Sequence, residues 1–125
     1  MSTRCLIAAE QPDGTFFTIY CHFDGYVKNG VGEELFKNYK ERWKVENLIS
    51  DGDRRTLGYE DPEEELYNID YKKYANLDSL KEQLETKDYI YIFDLNDEWI
   101  VISDVFPDGG GKIMTRKLAD MFWGF

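Results

Sequence analysis

Cys5-Leu6-Ile7-Ala8-Ala9-Glu10-Gln11-Pro12-Asp13-Gly14-Thr15-Phe16-Phe17-Thr18-Ile19-Tyr20-Cys21 decides the fold. Two apolar runs rich in strand-forming residues flank Gln11-Pro12-Asp13-Gly14. Proline presets φ at the first turn position and glycine accepts the left-handed one, which is the signature of a β-hairpin. A type I turn followed by a glycine bulge places Gln11 opposite Thr15 and Cys5 opposite Cys21. Ile7 then faces Ile19 and Ala9 faces Phe17, so one face is apolar throughout. A tighter Asp13-Gly14 turn shifts the register by one and puts Cys5 opposite His22 instead. A one-residue slip changes every cross-strand pair, and both registers stay open.

The same kind of reading organises the rest of the chain. Asp24-Gly25-Tyr26 and Asn29-Gly30 read as loop. Val31, Leu35 and Tyr39 recur every four residues with Phe36 alongside, and Val45, Leu48 and Ile49 form a second stripe, so two helices are expected between residues 31 and 49. Gly30 and Gly32 precede the first, Gly52 ends the second, and Trp43 is expected to pack near their junction. Asp78-Ser79-Leu80-Lys81-Glu82-Gln83-Leu84 reads as a short helix with Asp78 as its cap. Tyr89-Ile90-Tyr91-Ile92-Phe93 and Trp99-Ile100-Val101-Ile102 bracket Asp94-Leu95-Asn96-Asp97 as a second hairpin. A final short helix is expected in the tail from Lys112. The expected fold is a single α+β domain over residues 1–125: an antiparallel sheet from two β-hairpins, with helices packed on one face.

Composition narrows the function. The chain has 125 residues, with 15 Lys+Arg against 25 Asp+Glu, for a net charge of −10. Such a surface does not neutralise phosphates broadly, which argues against direct nucleic-acid binding. No apolar run is long enough to span a membrane, and the apolar stretch at residues 5–9 is too short for a signal peptide. The 16% aromatic fraction argues against disorder. Two cysteines in this setting point to a reducing compartment and no disulfide framework.

Three constellations could carry chemistry. The first surrounds His22, the only histidine. On an extended strand His22 and Asp24 point one way and Cys21 the other. Cys21 could join them on one ion only if the strand bends, which Gly25 allows. In the tighter hairpin register Cys5, His22 and Asp24 share a face, Asp51, Asp53 or a water would complete a tetrahedron, and zinc is the candidate cofactor for such donors. Paired with a thiolate, His22 would instead suggest a small hydrolase. Against both stands the reading that Cys21 is core and His22 is hydrogen-bonded. The second is Pro107-Asp108-Gly109-Gly110-Gly111-Lys112. It fails as a phosphate loop, because Phe106 stands where the first glycine belongs and Ile113 follows the lysine. The third is the acidic run Glu60, Asp61, Glu63, Glu64 and Glu65, with Tyr67 beside it. Carboxylates would steer the chain to a basic partner, and tyrosines nearby (Tyr59, Tyr67, Tyr71, Tyr74) would anchor it. The alternative is that this charge serves only solubility.

Met1-Ser2-Thr3-Arg4, Ile7-Ala8, Asp13-Gly14 and Ile19-Tyr20-Cys21-His22-Phe23-Asp24-Gly25-Tyr26 resemble a small family of phage and prophage proteins. Val31-Gly32, Asn38-Tyr39, Lys44-Val45, Leu48-Ile49 and Gly52-Asp53 extend the resemblance through the first half of the chain. Val27 stands where that family has proline, and Cys5 where it often has serine. In size, charge and implied origin the chain is also similar to some type II anti-CRISPR proteins. That resemblance implies a non-enzymatic inhibitor in the cytoplasm of an infected bacterium. Its expected partner is a host nuclease with a basic surface, blocked from loading or cutting DNA.

Overall fold

Gly14 sets the sheet. Its φ of +85° is open to glycine at no steric cost. Its amide donates to Gln11 O at 2.9 Å, and Gln11 N donates to Thr15 O at 2.8 Å. Asp13 braces the turn by accepting from Thr15 N and Thr15 Oγ1. The strands on either side, β1 (Cys5–Glu10) and β2 (Phe16–Cys21), pair with Cys5 opposite Cys21, Ile7 opposite Ile19 and Ala9 opposite Phe17. This is the bulged register. The tighter one, which would have brought Cys5 to His22, is not adopted.

The computed structural model describes residues 3–53, 57 and 70–122. Four further strands follow: β3 (Lys72–Tyr74), β4 (Tyr89–Phe93), β5 (Trp99–Ser103) and β6 (Met114–Lys117). They join one six-stranded sheet in the order β3-β2-β1-β4-β5-β6. The two expected hairpins are both present, but they meet in parallel, β1 against β4, with Cys5 opposite Tyr89 and Ala9 opposite Phe93. The sheet is therefore mixed rather than antiparallel. The segment between β2 and β4 is long enough to make the crossover that a parallel pair needs.

Helices also cover both faces, not one. On the first face α1 (Val31–Asn38) and α2 (Arg42–Ser50) bring Val31, Leu35, Val45, Leu48 and Ile49 against Ile7, Ile19, Tyr91 and Phe93. On the second, α3 (Leu77–Lys81) and the 3-10 helix Glu82–Glu85 lay Leu80 and Leu84 on Leu6, Ala8, Ile90 and Ile92. A strand covered on both faces reads as an unbroken apolar run. That is the pattern of β1 and β4, whose residues 5–9 and 90–93 are all buried.

Smaller corrections have local causes. Asn76, not Asp78, caps α3: its carboxamide oxygen accepts from Ser79 N at 2.8 Å, and Asp78 sits inside the first turn. The tail carries β6 and then a 3-10 helix, Leu118–Met121, in place of one α-helix. Trp43 does not fill the helix junction, since it is 57% exposed. Trp99 packs beside Phe93 instead and donates its indole N–H to Tyr39 O at 2.7 Å.

Candidate functional site

The most distinctive motif, Tyr20 to Tyr26, first does structural work. Asp24 takes a left-handed backbone with φ of +60°, and its carbonyl accepts from Val31 N at 2.7 Å, closing the start of α1. Gly25 N donates to Thr3 O at 3.0 Å, and Gly25 O accepts the buried Tyr91 hydroxyl at 2.7 Å. A Cβ at Gly25 would stand 2.8 Å from Thr3 O and 3.1 Å from Cys5 Cβ, so glycine is required by close approach rather than by a turn.

The candidate metal ligands separate around this loop. Cys5 and Cys21 lie opposite one another inside the first-face core, both wholly buried and neither in a disulfide. Burial pushes the Cys5 thiol well above its ordinary pKa, and the neighbouring Cys21 adds to the rise. A thiol held protonated is neither a good ligand nor a good nucleophile. Asp24 lines a shallow cleft with Glu33, Glu34 and Lys37 on the α1 side. His22 lies on the other side of the strand, where its Nδ1 shares a 2.5 Å hydrogen bond with Tyr20 Oη and its ring meets Phe23 edge-on. Asp53 accepts the backbone N–H of Tyr20 at 2.8 Å, capping β2 beyond the end of β3. Among the described residues, no three His, Cys, Asp or Glu side chains gather to hold an ion.

The acidic run Glu60, Asp61, Glu63, Glu64 and Glu65, with Tyr67 (and Tyr59), lies outside the described residues. Two other tyrosines of that group are described. Tyr74 stands in β3 opposite Phe16, and Tyr71 stacks on Phe17 with ring centroids 4.5 Å apart.

A different acidic surface is described. Between α1 and α2 runs an open groove of about 330 Å³ lined by Glu34, Asn38, Trp43, Lys44, Asn47 and Asp51, among others. Trp43 stands on its rim, and its indole N–H donates to the Glu41 carboxylate. Glu34 accepts from Asn38 Nδ2 at 2.8 Å, and Lys44 lies over the Trp43 ring at 5.6 Å. A large aromatic in water with a carboxylate fixed to its polar edge can insert into a pocket while its neighbour meets a cation. The sequence did contain this signal. Trp43 lies two residues before Val45, a little over half a helical turn, so it falls opposite the stripe Val45, Leu48 and Ile49. Charged Arg42 and Lys44 flank it on either side.

No known protein family, curated protein or solved structure matches this chain. Among the described residues no helix is long and apolar enough to cross a membrane.

Proposed function

We propose that this chain is a phage-encoded inhibitor of a bacterial defence nuclease, in first place a type II Cas nuclease. It acts in the host cytoplasm, by binding rather than by catalysis. The observation that carries the reading is Trp43, 57% exposed beside a groove bordered by Glu34, Glu41 and Asp51 on a chain of net charge −10. The nuclease channel that holds a guide–target heteroduplex by its backbone is strongly basic. Acidic groups steer the encounter with such a channel, and a central aromatic supplies the affinity that charge alone does not.

The test is DNA cleavage by a purified type II Cas nuclease with increasing amounts of the protein. Inhibition at near-stoichiometric ratios is expected. No inhibition of such a nuclease contradicts the reading. Replacing Glu63, Glu64 and Glu65 together with Gln tests the acidic run: lost inhibition assigns the contact to it and retained inhibition points elsewhere, while lost inhibition in a folded Trp43→Ala variant assigns the contact to the Trp43 groove.

A further inference from the structure

The chain has two cysteines, and the fold sets them opposite one another. Cys5 opens β1 and Cys21 closes β2, so they form the last pair at the open end of the first hairpin. The turn fixes what kind of pair this is. Gln11 N donates to Thr15 O, which makes Gln11–Thr15 a hydrogen-bonded pair. Such pairs recur at every second residue, so Ala9–Phe17, Ile7–Ile19 and Cys5–Cys21 are hydrogen-bonded pairs too. The Cα atoms of such a pair stand about 5.5 Å apart, inside the disulfide range of about 4.4–6.8 Å. Both cysteine side chains belong to the same apolar core, and neither is exposed to solvent. The two thiols lie within hydrogen-bonding reach of each other.

The surroundings tie this pair to the joint from Tyr20 to Tyr26. The Cys21 thiol donates to Phe23 O at 3.5 Å. Cys5 Cβ backs onto Gly25, where an added Cβ would stand 3.1 Å from it. Gly25 in turn holds Thr3 and Tyr91 through its backbone. In a hydrogen-bonded pair the Cβ atoms lie about 5.5 Å apart, and a disulfide needs about 3.5–4.5 Å. Closing a bridge therefore draws the two strand ends together by about an ångström. It also takes the thiol hydrogen away from Phe23 O. Both changes fall on residues 23–25, where Asp24 O accepts from Val31 N at the start of α1.

We infer that Cys5 and Cys21 form a reversible cross-strand disulfide under oxidation by a low-molecular-weight disulfide, and that closing it shifts the loop at residues 23–25. With glutathione disulfide the exchange has two steps. One protein thiol loses its proton to water and attacks a glutathione sulfur; the glutathione S–S bond breaks and one glutathione thiolate leaves. The second protein thiol, deprotonated in turn, attacks the protein sulfur of that mixed disulfide. The Cys5–Cys21 bond forms and the second glutathione thiolate is expelled. The two thiolates take up the two protons, so two protein thiols are oxidised and one glutathione disulfide is reduced to two glutathiones. Burial makes the first step slow, because this end of the hairpin has to open before a thiolate meets the reagent. A bridge closed against its Cβ spacing is also readily reduced, which suits a switch rather than a permanent brace.

The experiment equilibrates the folded full chain with buffers of rising oxidised-to-reduced glutathione ratio, blocks the remaining thiols with iodoacetamide and weighs the intact protein. Circular dichroism checks that the chain stays folded throughout. The expected product is a monomer about 2 Da lighter than the reduced chain and carrying no label, with both thiols recovered by dithiothreitol. Its Phe23 and Gly25 amide resonances should differ from those of the reduced form in NMR spectra. Cys5→Ser and Cys21→Ser each lack the second thiol, so each should stop at a glutathione adduct. A wild type that stays reduced while folded, stops at that adduct, or bridges only between chains overturns the proposal. A bridge that forms only in denaturant, or one that leaves the Phe23 and Gly25 resonances in place, overturns it too.

Discussion

At single positions, the motif from Tyr20 to Tyr26 is a joint between two parts of the protein. Asp24 and Gly25 spend their backbone groups on α1, on Thr3 and on Tyr91, while Tyr20 and His22 turn to the opposite face. Tyr91 is completely buried, and its hydroxyl reaches Gly25 O across the core. Tyr91→Phe should therefore cost about 1–3 kcal/mol, because the carbonyl loses its donor where water cannot replace it. Chemical denaturation measures this directly, and an unchanged midpoint would mean the bond contributes nothing. The sequence showed that this stretch was special, but it did not show which way each side chain faces. That depended on the hairpin register, and both turns were compatible with Gln11-Pro12-Asp13-Gly14. The left-handed Gly14 and the Gln11–Thr15 pair decided for the bulge, and with it Cys5 and Cys21 went into the core together.

Between elements, one side chain does much of the joining. Arg42, at the first position of α2, donates to Asp94 O at 2.7 Å and to Glu10 O at 3.2 Å. It also contacts Asp97 Oδ1 at 3.2 Å and lies over the Phe93 ring at 5.0 Å. It thereby ties α2 to the ends of the two parallel central strands. Arg42→Ala should destabilise the fold by about 2–3 kcal/mol, since charged donors to half-buried carbonyls are worth more than an exposed ion pair. Thermal unfolding should show a clear fall. A melting temperature equal to wild type would make the staple decorative.

The long elements were legible because burial imposes a period on sequence. The stripes Val31-Leu35 and Val45-Leu48-Ile49 became α1 and α2, and the aromatic run at 89–93 became β4. The parallel join was less legible, although β1 and β4 carry its mark in their unbroken apolar runs. β3 and β6 were missed because Lys72–Tyr74 and Met114–Lys117 are short, polar edge strands whose pairing comes from their neighbours.

Over the whole molecule, acidic side chains outnumber basic ones, for a net charge of −10. The α1–α2 side presents Glu34, Glu41 and Asp51 around Trp43, with Lys44 among them. The total of −10 was readable from composition, but the placing of Glu34 and Asp51 in one groove with Trp43 was not, because it depends on how α1 and α2 lie beside each other. A chain with that surplus of carboxylates can be drawn to a basic partner. The direct measurement is calorimetric affinity for a purified type II Cas nuclease at about 0.1 M and about 0.5 M salt, over which the screening length shortens by about half. Wild type and Trp43→Ala are run side by side. The predicted result is binding that weakens as salt rises, with a further loss of about 2 kcal/mol, roughly thirtyfold, in Trp43→Ala. Binding that ignores salt and is indifferent to Trp43, or no binding at either salt, would contradict the account.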